Sequence, residues 1–244
     1  MKKHKKLKIT LIILIPLIII GGCFGAFFIY TANYYHAVAY THNENVDITS
    51  YYGYQLYSKK NEESSSLYIF YPGAKVEDKA YQGLAETIAL ENIDVVVVTM
   101  PFNLAFFGMN EADDVMNELP NYASYYLGGH SLGGAMAGSY LSGKKSTKIK
   151  GMILLASYVT ATQPSGVNCL TIKGSEDKVV KQDKFEANKN YFSEDAKYVE
   201  YTIQGGNHGN FGNYGHQSGD GEATITNEEQ WQITAGLIKD FVNE

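Results

Sequence analysis

At 244 residues, 45% of them hydrophobic, the chain is long enough for one globular domain with a sizeable core. Its formal charge is −6, but five of its 20 basic residues lie in the first eight positions. Residues 31–244 therefore carry 15 lysines against 26 acidic groups, a balance of −11 that argues against nucleic acid as a partner. Every basic residue is lysine, which excludes bidentate arginine clamps on carboxylate or phosphate, and the two cysteines, Cys23 and Cys169, exclude a disulfide framework or a cysteine-rich zinc site.

Residues 1–8 read as a basic cytoplasmic tail and residues 9–30 as an uncharged apolar span. As a helix that span is about 33 Å long, enough for a hydrocarbon core of about 30 Å. The lysines on its amino-terminal side predict a single-pass anchor in the cell membrane with the rest of the chain extracytoplasmic. Two rival readings exist. Ile20-Gly21-Gly22-Cys23 resembles a lipobox whose cysteine would be lipidated, although residues 24–30 stay apolar where lipoproteins turn polar. A cleaved signal peptide would need a shorter apolar region and a small-residue cleavage site.

Residues 31–45, polar and aromatic, read as a juxtamembrane connector. A strand or two are expected over 46–58, and a strand over 67–71 runs into Pro72-Gly73-Ala74-Lys75. Ala80, Leu84 and Ile88 are at helical spacing, predicting an amphipathic helix over 76–90. The run Val95-Val96-Val97-Val98 lacks polar alternation and belongs to a strand covered on both faces. A helix over 111–119 ends at Pro120. Further strands are expected over 148–157, 167–173 and 197–203, with a helix over 179–192. After a glycine-rich loop over 205–222, Thr226-Asn227-Glu228-Glu229 reads as the capping box of a final helix that lines up Trp231, Ala235, Ile238 and Val242. Strands alternating with helices predict an α/β class with a mostly parallel sheet.

Between the strand ending near Leu127 and the small residues Gly134, Ala135, Met136, Ala137 and Gly138 stands Gly129-His130-Ser131-Leu132-Gly133. A serine on such a strand-turn-helix apex is a candidate nucleophile, and glycines two residues to either side remove the Cβ atoms that would collide with the turn. An activated serine needs a base, and the base needs an orienting acid, in the chain order Ser, Asp or Glu, His. His208 and His216 lie downstream of Ser131 and beyond all the strands; His208, five residues after Ile203, is the better placed base. Asp177 follows the carboxyl end of the 167–173 strand and is the candidate acid, with Glu176 as runner-up. The backbone N–H groups of Leu132 and Ala74 are the expected oxyanion donors. A calcium site built from Asn207, Asn213, Asp220 and Glu222 lacks the required spacing. Phe102, Phe106 and Phe107 are candidates for a wall of the site.

Tyr71-Pro72-Gly73-Ala74-Lys75-Val76, Gly128 to Gly134, Gly174-Ser175-Glu176-Asp177 and Gly206-Asn207-His208 together resemble the α/β-hydrolase superfamily, in particular its small bacterial branch related to dienelactone hydrolases. The resemblance implies an α/β-hydrolase catalytic domain over 46–244. It also implies cleavage of an ester or similar acyl bond through an acyl-enzyme on Ser131, without metal or organic cofactor, on a small-molecule or lipid-like acyl substrate. Dienelactone hydrolases carry a cysteine where this chain has Ser131, so their substrate does not carry over. Only residues 158–166 stand where many relatives insert a lid, too few for a lid domain. An acyltransferase or peptidase on the same triad, or a non-catalytic surface binding module, are the competing readings.

Overall fold

The computed structural model describes residues 2–144 and 147–243, with side chains from residue 14 onward. The chain divides into two compact units, Met1–Tyr34 and Tyr35–Glu244. The first is helix α1 (Lys2–Ala32), whose Leu14–Ala32 portion is long and apolar enough to cross a membrane by length and composition.

The second unit is built on eight strands: β1 (Val46–Tyr51), β2 (Tyr54–Lys59), β3 (Ser66–Tyr71), β4 (Asp94–Val98), β5 (Ser124–His130), β6 (Ile149–Leu155), β7 (Asn168–Gly174) and β8 (Tyr198–Ile203). They form one sheet in the order β1-β2-β4-β3-β5-β6-β7-β8. From β4 to β8 all neighbours pair in parallel, while β1 and β2 form an antiparallel hairpin attached to β4 at one edge. Successive side chains of a strand point to opposite faces, and here both faces are covered. Tyr68, Phe70, Val95, Val97, Ile153 and Leu155 join one core cluster, under α2 (Gln82–Ala89) and α6 (Asn227–Asn243). Leu67, Ile69, Val96, Val98, Met152 and Leu154 join the other, under α3 (Glu111–Glu118) and α4 (Leu132–Ser142). That double burial is why β4 reads as an unbroken valine run.

The expected capping box of α6 is present: the Glu229 N–H donates to Thr226 Oγ1 (3.2 Å) and the Thr226 N–H to Glu229 Oε2 (2.8 Å). The expected helix over 179–192 is shorter. Asp177 Oδ1 accepts the N–H groups of both Val179 and Val180, at 2.8 Å each, in a local turn that does not continue as a helix. Helix α5 (Gln182–Ala187) begins only beyond it, followed by a 3-10 turn. The helix over 76–90 likewise starts as a 3-10 turn and becomes α-helical at Gln82. Of residues 31–45, expected as a connector, those from Tyr35 onward fall in the second unit. There the Tyr35 N–H donates to Lys75 O (2.7 Å), the Val38 N–H to Asn213 O (2.8 Å), and His42 and Asn43 both hydrogen-bond Glu86, whose carboxylate is buried.

Candidate active site

The serine stands where a strand at the centre of the sheet becomes a helix. β5 ends at His130, α4 begins at Leu132, and Ser131 between them takes φ 52° and ψ −121°. A non-glycine residue in that region costs on the order of 1–3 kcal/mol and persists only where its surroundings hold it. They do: the Ser131 N–H donates to Leu155 O at the end of β6 (2.9 Å), and Ser157 Oγ donates to Ser131 O (2.6 Å). The turn is also crowded from β3. A Cβ on Gly129 would lie 2.1 Å from Tyr71 O, and one on Gly133 would lie 2.0 Å from the same atom.

The acid and the base meet beside it. His208 Nδ1 and Asp177 Oδ2 are 2.9 Å apart with both side chains buried, whereas His216 is half exposed near Glu222 and, among the described residues, the Glu176 carboxylate accepts only from Ser175 Oγ. Asp177 therefore accepts on both oxygens, from the Val179 and Val180 N–H groups on Oδ1 and from His208 on Oδ2. The imidazole proton must then sit on Nδ1, leaving a lone pair on Nε2. Nε2 of His208 is buried and has no hydrogen-bond partner among the described residues, the kind of orphan that marks a site of chemistry.

Two further side chains, neither assigned this role in the sequence, hold these loops. Asp220 accepts the Gly209 N–H on Oδ2 (2.8 Å) and the Lys178 N–H on Oδ1 (3.3 Å), strapping the residue after the base to the residue after the acid. Gln230, buried on α6, accepts the Asn207 N–H (3.1 Å) and donates to Asn207 O (3.0 Å), gripping the backbone one residue before His208. Neither contact leaves a sequence signal, because each joins residues far apart in the chain.

Leu132 and Ala74 follow the carboxyl ends of β5 and β3, neighbours in the sheet, and neither N–H has an acceptor among the described residues. The loop bearing Ala74 is fixed through Tyr81, whose hydroxyl accepts the Gly73 N–H (3.0 Å) and lies 2.8 Å from His130 Nδ1. The phenol O–H has no other acceptor among the described residues, so it donates its hydrogen bond to Nδ1. Burial, and then the neighbouring His208, hold His130 well below the usual imidazole range, so it stays neutral against the base ring, 4.6 Å away between centroids. Tyr81→Phe would leave a buried N–H and a buried ring nitrogen unpaired. It is expected to cost about 1–3 kcal/mol of stability, measured as a lower urea midpoint with unchanged slope.

Ser131 and His208 open onto a cavity of about 320 Å³ whose wall is largely apolar, from Leu132, Ala135, Met136 and Val180, with Lys181 also lining it. Phe102, Phe106 and Phe107, expected to wall the site, do not line this cavity; they stand exposed on the loop after β4. A larger hollow of about 540 Å³ lies at the amino ends of β4 and β5 among Glu62, Glu63, Asp94 and Glu118. It holds no histidine or cysteine, so size does not locate the chemistry here.

A family model described as the alpha/beta hydrolase family matches residues 67–232, and the chain belongs to that family. Three solved structures illustrate the fold. TT1662 from Thermus thermophilus superposes with a TM-score of 0.58 at 13% identity, covering 82% of this chain and 99% of that one. A monoacylglycerol lipase from Paleococcus ferrophilus gives 0.58 at 12% identity, with 80% and 99% covered. The esterase domain of a Rhodothermus marinus protein gives 0.54 at 10% identity, with 78% and 91% covered. No curated protein matches the chain in sequence.

Proposed function

We propose that this protein is a membrane-anchored, extracytoplasmic serine hydrolase that cleaves an ester or similar acyl bond through an acyl-enzyme on Ser131. The observation that carries the reading is the buried His208 with Nδ1 2.9 Å from Asp177 and an unpartnered Nε2, lining the same cavity as Ser131. The esterase and lipase among the structures of like fold agree with it. Helix α1 would serve as the anchor, with the lysine-rich tail on the cytoplasmic side.

In this mechanism Ser131 Oγ attacks the acyl carbon while its proton passes to His208 Nε2, and Asp177 steadies the imidazolium that results. The carbonyl oxygen takes up the electron pair and is met by the N–H groups of Leu132 and Ala74. Collapse of the tetrahedral intermediate expels the alkoxide, which takes its proton from Nε2. Water, deprotonated by the same nitrogen, then releases the acid and regenerates Ser131. The test is intact-protein and peptide mass spectrometry after treatment with a fluorophosphonate. A single adduct on Ser131, lost in Ser131→Ala and His208→Ala, is expected; a folded wild-type chain that takes up none would end the hydrolase reading.

A further inference from the structure

Five exposed aromatic side chains of the second unit gather at the carboxyl edge of the sheet, beside the candidate site but outside its cavity, while a sixth, Tyr201, stands apart on β8. The turn between β1 and β2 offers Tyr51 and Tyr52, 38% and 101% exposed, and the loop after β4 offers Phe102, Phe106 and Phe107, 44%, 67% and 46% exposed. The two segments are tied together, because the Thr99 N–H donates to Gly53 O (2.7 Å). The three phenylalanines pack edge to face on one another, with ring centroids 5.5 and 5.4 Å apart, rather than turning into the core.

The backbone holds them out under strain. Phe102 and Asn103 have φ of 57° and 54°, and a bulky residue in that region is an outlier that its surroundings must enforce. The enforcement comes from the site itself: Asn103 O accepts the N–H of Lys75, the residue after Ala74. The second unit also begins at this edge, where Tyr35 pairs with Lys75 and Glu77. Amphipathic and apolar rings displayed together at one rim suit the boundary between water and lipid headgroups. Residues 31–244 carry a net −11, so attraction to anionic headgroups is absent and contact must come from ring insertion.

We propose that this aromatic rim is a lipid-contacting surface, and that the substrates of the Ser131 site are acyl esters presented in an uncharged bilayer surface. The proposal rests on the serine-hydrolase reading and on α1 as an anchor. It goes beyond them in naming how the substrate is reached.

The test compares the full chain with a Tyr52→Ser/Phe106→Ser variant, both reconstituted in phosphatidylcholine vesicles. Two probes are used: a water-soluble short-chain ester and a long-chain fluorogenic ester dissolved in the vesicle bilayer. The variant is expected to lose about tenfold or more in kcat/KM on the vesicle-borne ester and to stay within about twofold on the soluble one. Unchanged vesicle activity, or an equal loss on both esters, overturns the rim proposal and leaves the hydrolase reading standing. A self-association in detergent that the variant abolishes, with vesicle activity intact, makes the rim a contact between copies and also overturns it. A wild-type chain that turns over neither ester overturns the hydrolase reading and the rim together.

Discussion

Turnover of a soluble ester is expected to fall about 10⁶-fold in Ser131→Ala but only about 10⁴-fold in Asp177→Asn, and the difference between the two reports on a proton rather than on a bond. Without Oγ no acyl-enzyme forms, and what survives is the water reaction assisted by the remaining donors. The asparagine keeps Ser131 and the shape of the site, but its amide can sit in only one orientation. The N–H groups of Val179 and Val180 both point at Oδ1, 2.8 Å away, and demand an acceptor there. The amide oxygen must take that place, which turns the NH₂ toward His208 Nδ1. Two donors cannot share that contact, so the imidazole proton moves to Nε2 and the lone pair facing the serine disappears. Steady-state kinetics check the ranking, and fluorophosphonate labelling of Asp177→Asn should slow in the same proportion as turnover. An Asp177→Asn enzyme with wild-type rates would mean that His208 is not the base.

Gly133→Ala is expected to cost about 3–5 kcal/mol of stability, enough to leave a marginal domain partly unfolded. The added methyl would lie 2.0 Å from Tyr71 O and 2.5 Å from Pro72 O. Both are backbone atoms at the end of a fully buried central strand, so neither can swing aside as a flexible side chain would. Relief requires β3 and α4 to separate, which also displaces the loop that carries Ala74 away from Leu132. Urea unfolding should show the loss, and residual folded enzyme should be slower in kcat than in KM, because the displaced donor acts on developing charge. A Gly133→Ala protein with wild-type stability and kcat would show that β3 does not press on the turn as described.

Much of this was legible in the chain. The valine run of β4 announces a strand covered twice, and the structure divides its residues between the two core clusters. The glycines around Ser131 announce a turn with no room for Cβ atoms, and a Cβ on Gly129 or Gly133 would lie 2.1 Å or 2.0 Å from Tyr71 O. The order of serine, acid and histidine selects Asp177 and His208, which meet at 2.9 Å. What stayed hidden has one physical cause, that side-chain hydrogen bonds across long sequence separations have no period. Tyr81 reaches His130 across 49 positions and Gln230 reaches Asn207 across 23. Gln230 sits next to Trp231, whose helical spacing is plain, yet nothing in the pattern says that a glutamine beside the apolar stripe grips a loop.

The grip of Gln230 on Asn207 also sets an order of events during synthesis. Ser131 and its turn are complete once β6 has been made, and Asp177 shortly after β7, but the loop of His208 is clamped from α6, which leaves the ribosome only after every strand. The position of the base thus depends on the last helix as much as on the loop that carries it, so a change at the Gln230 end of α6 would be felt at His208.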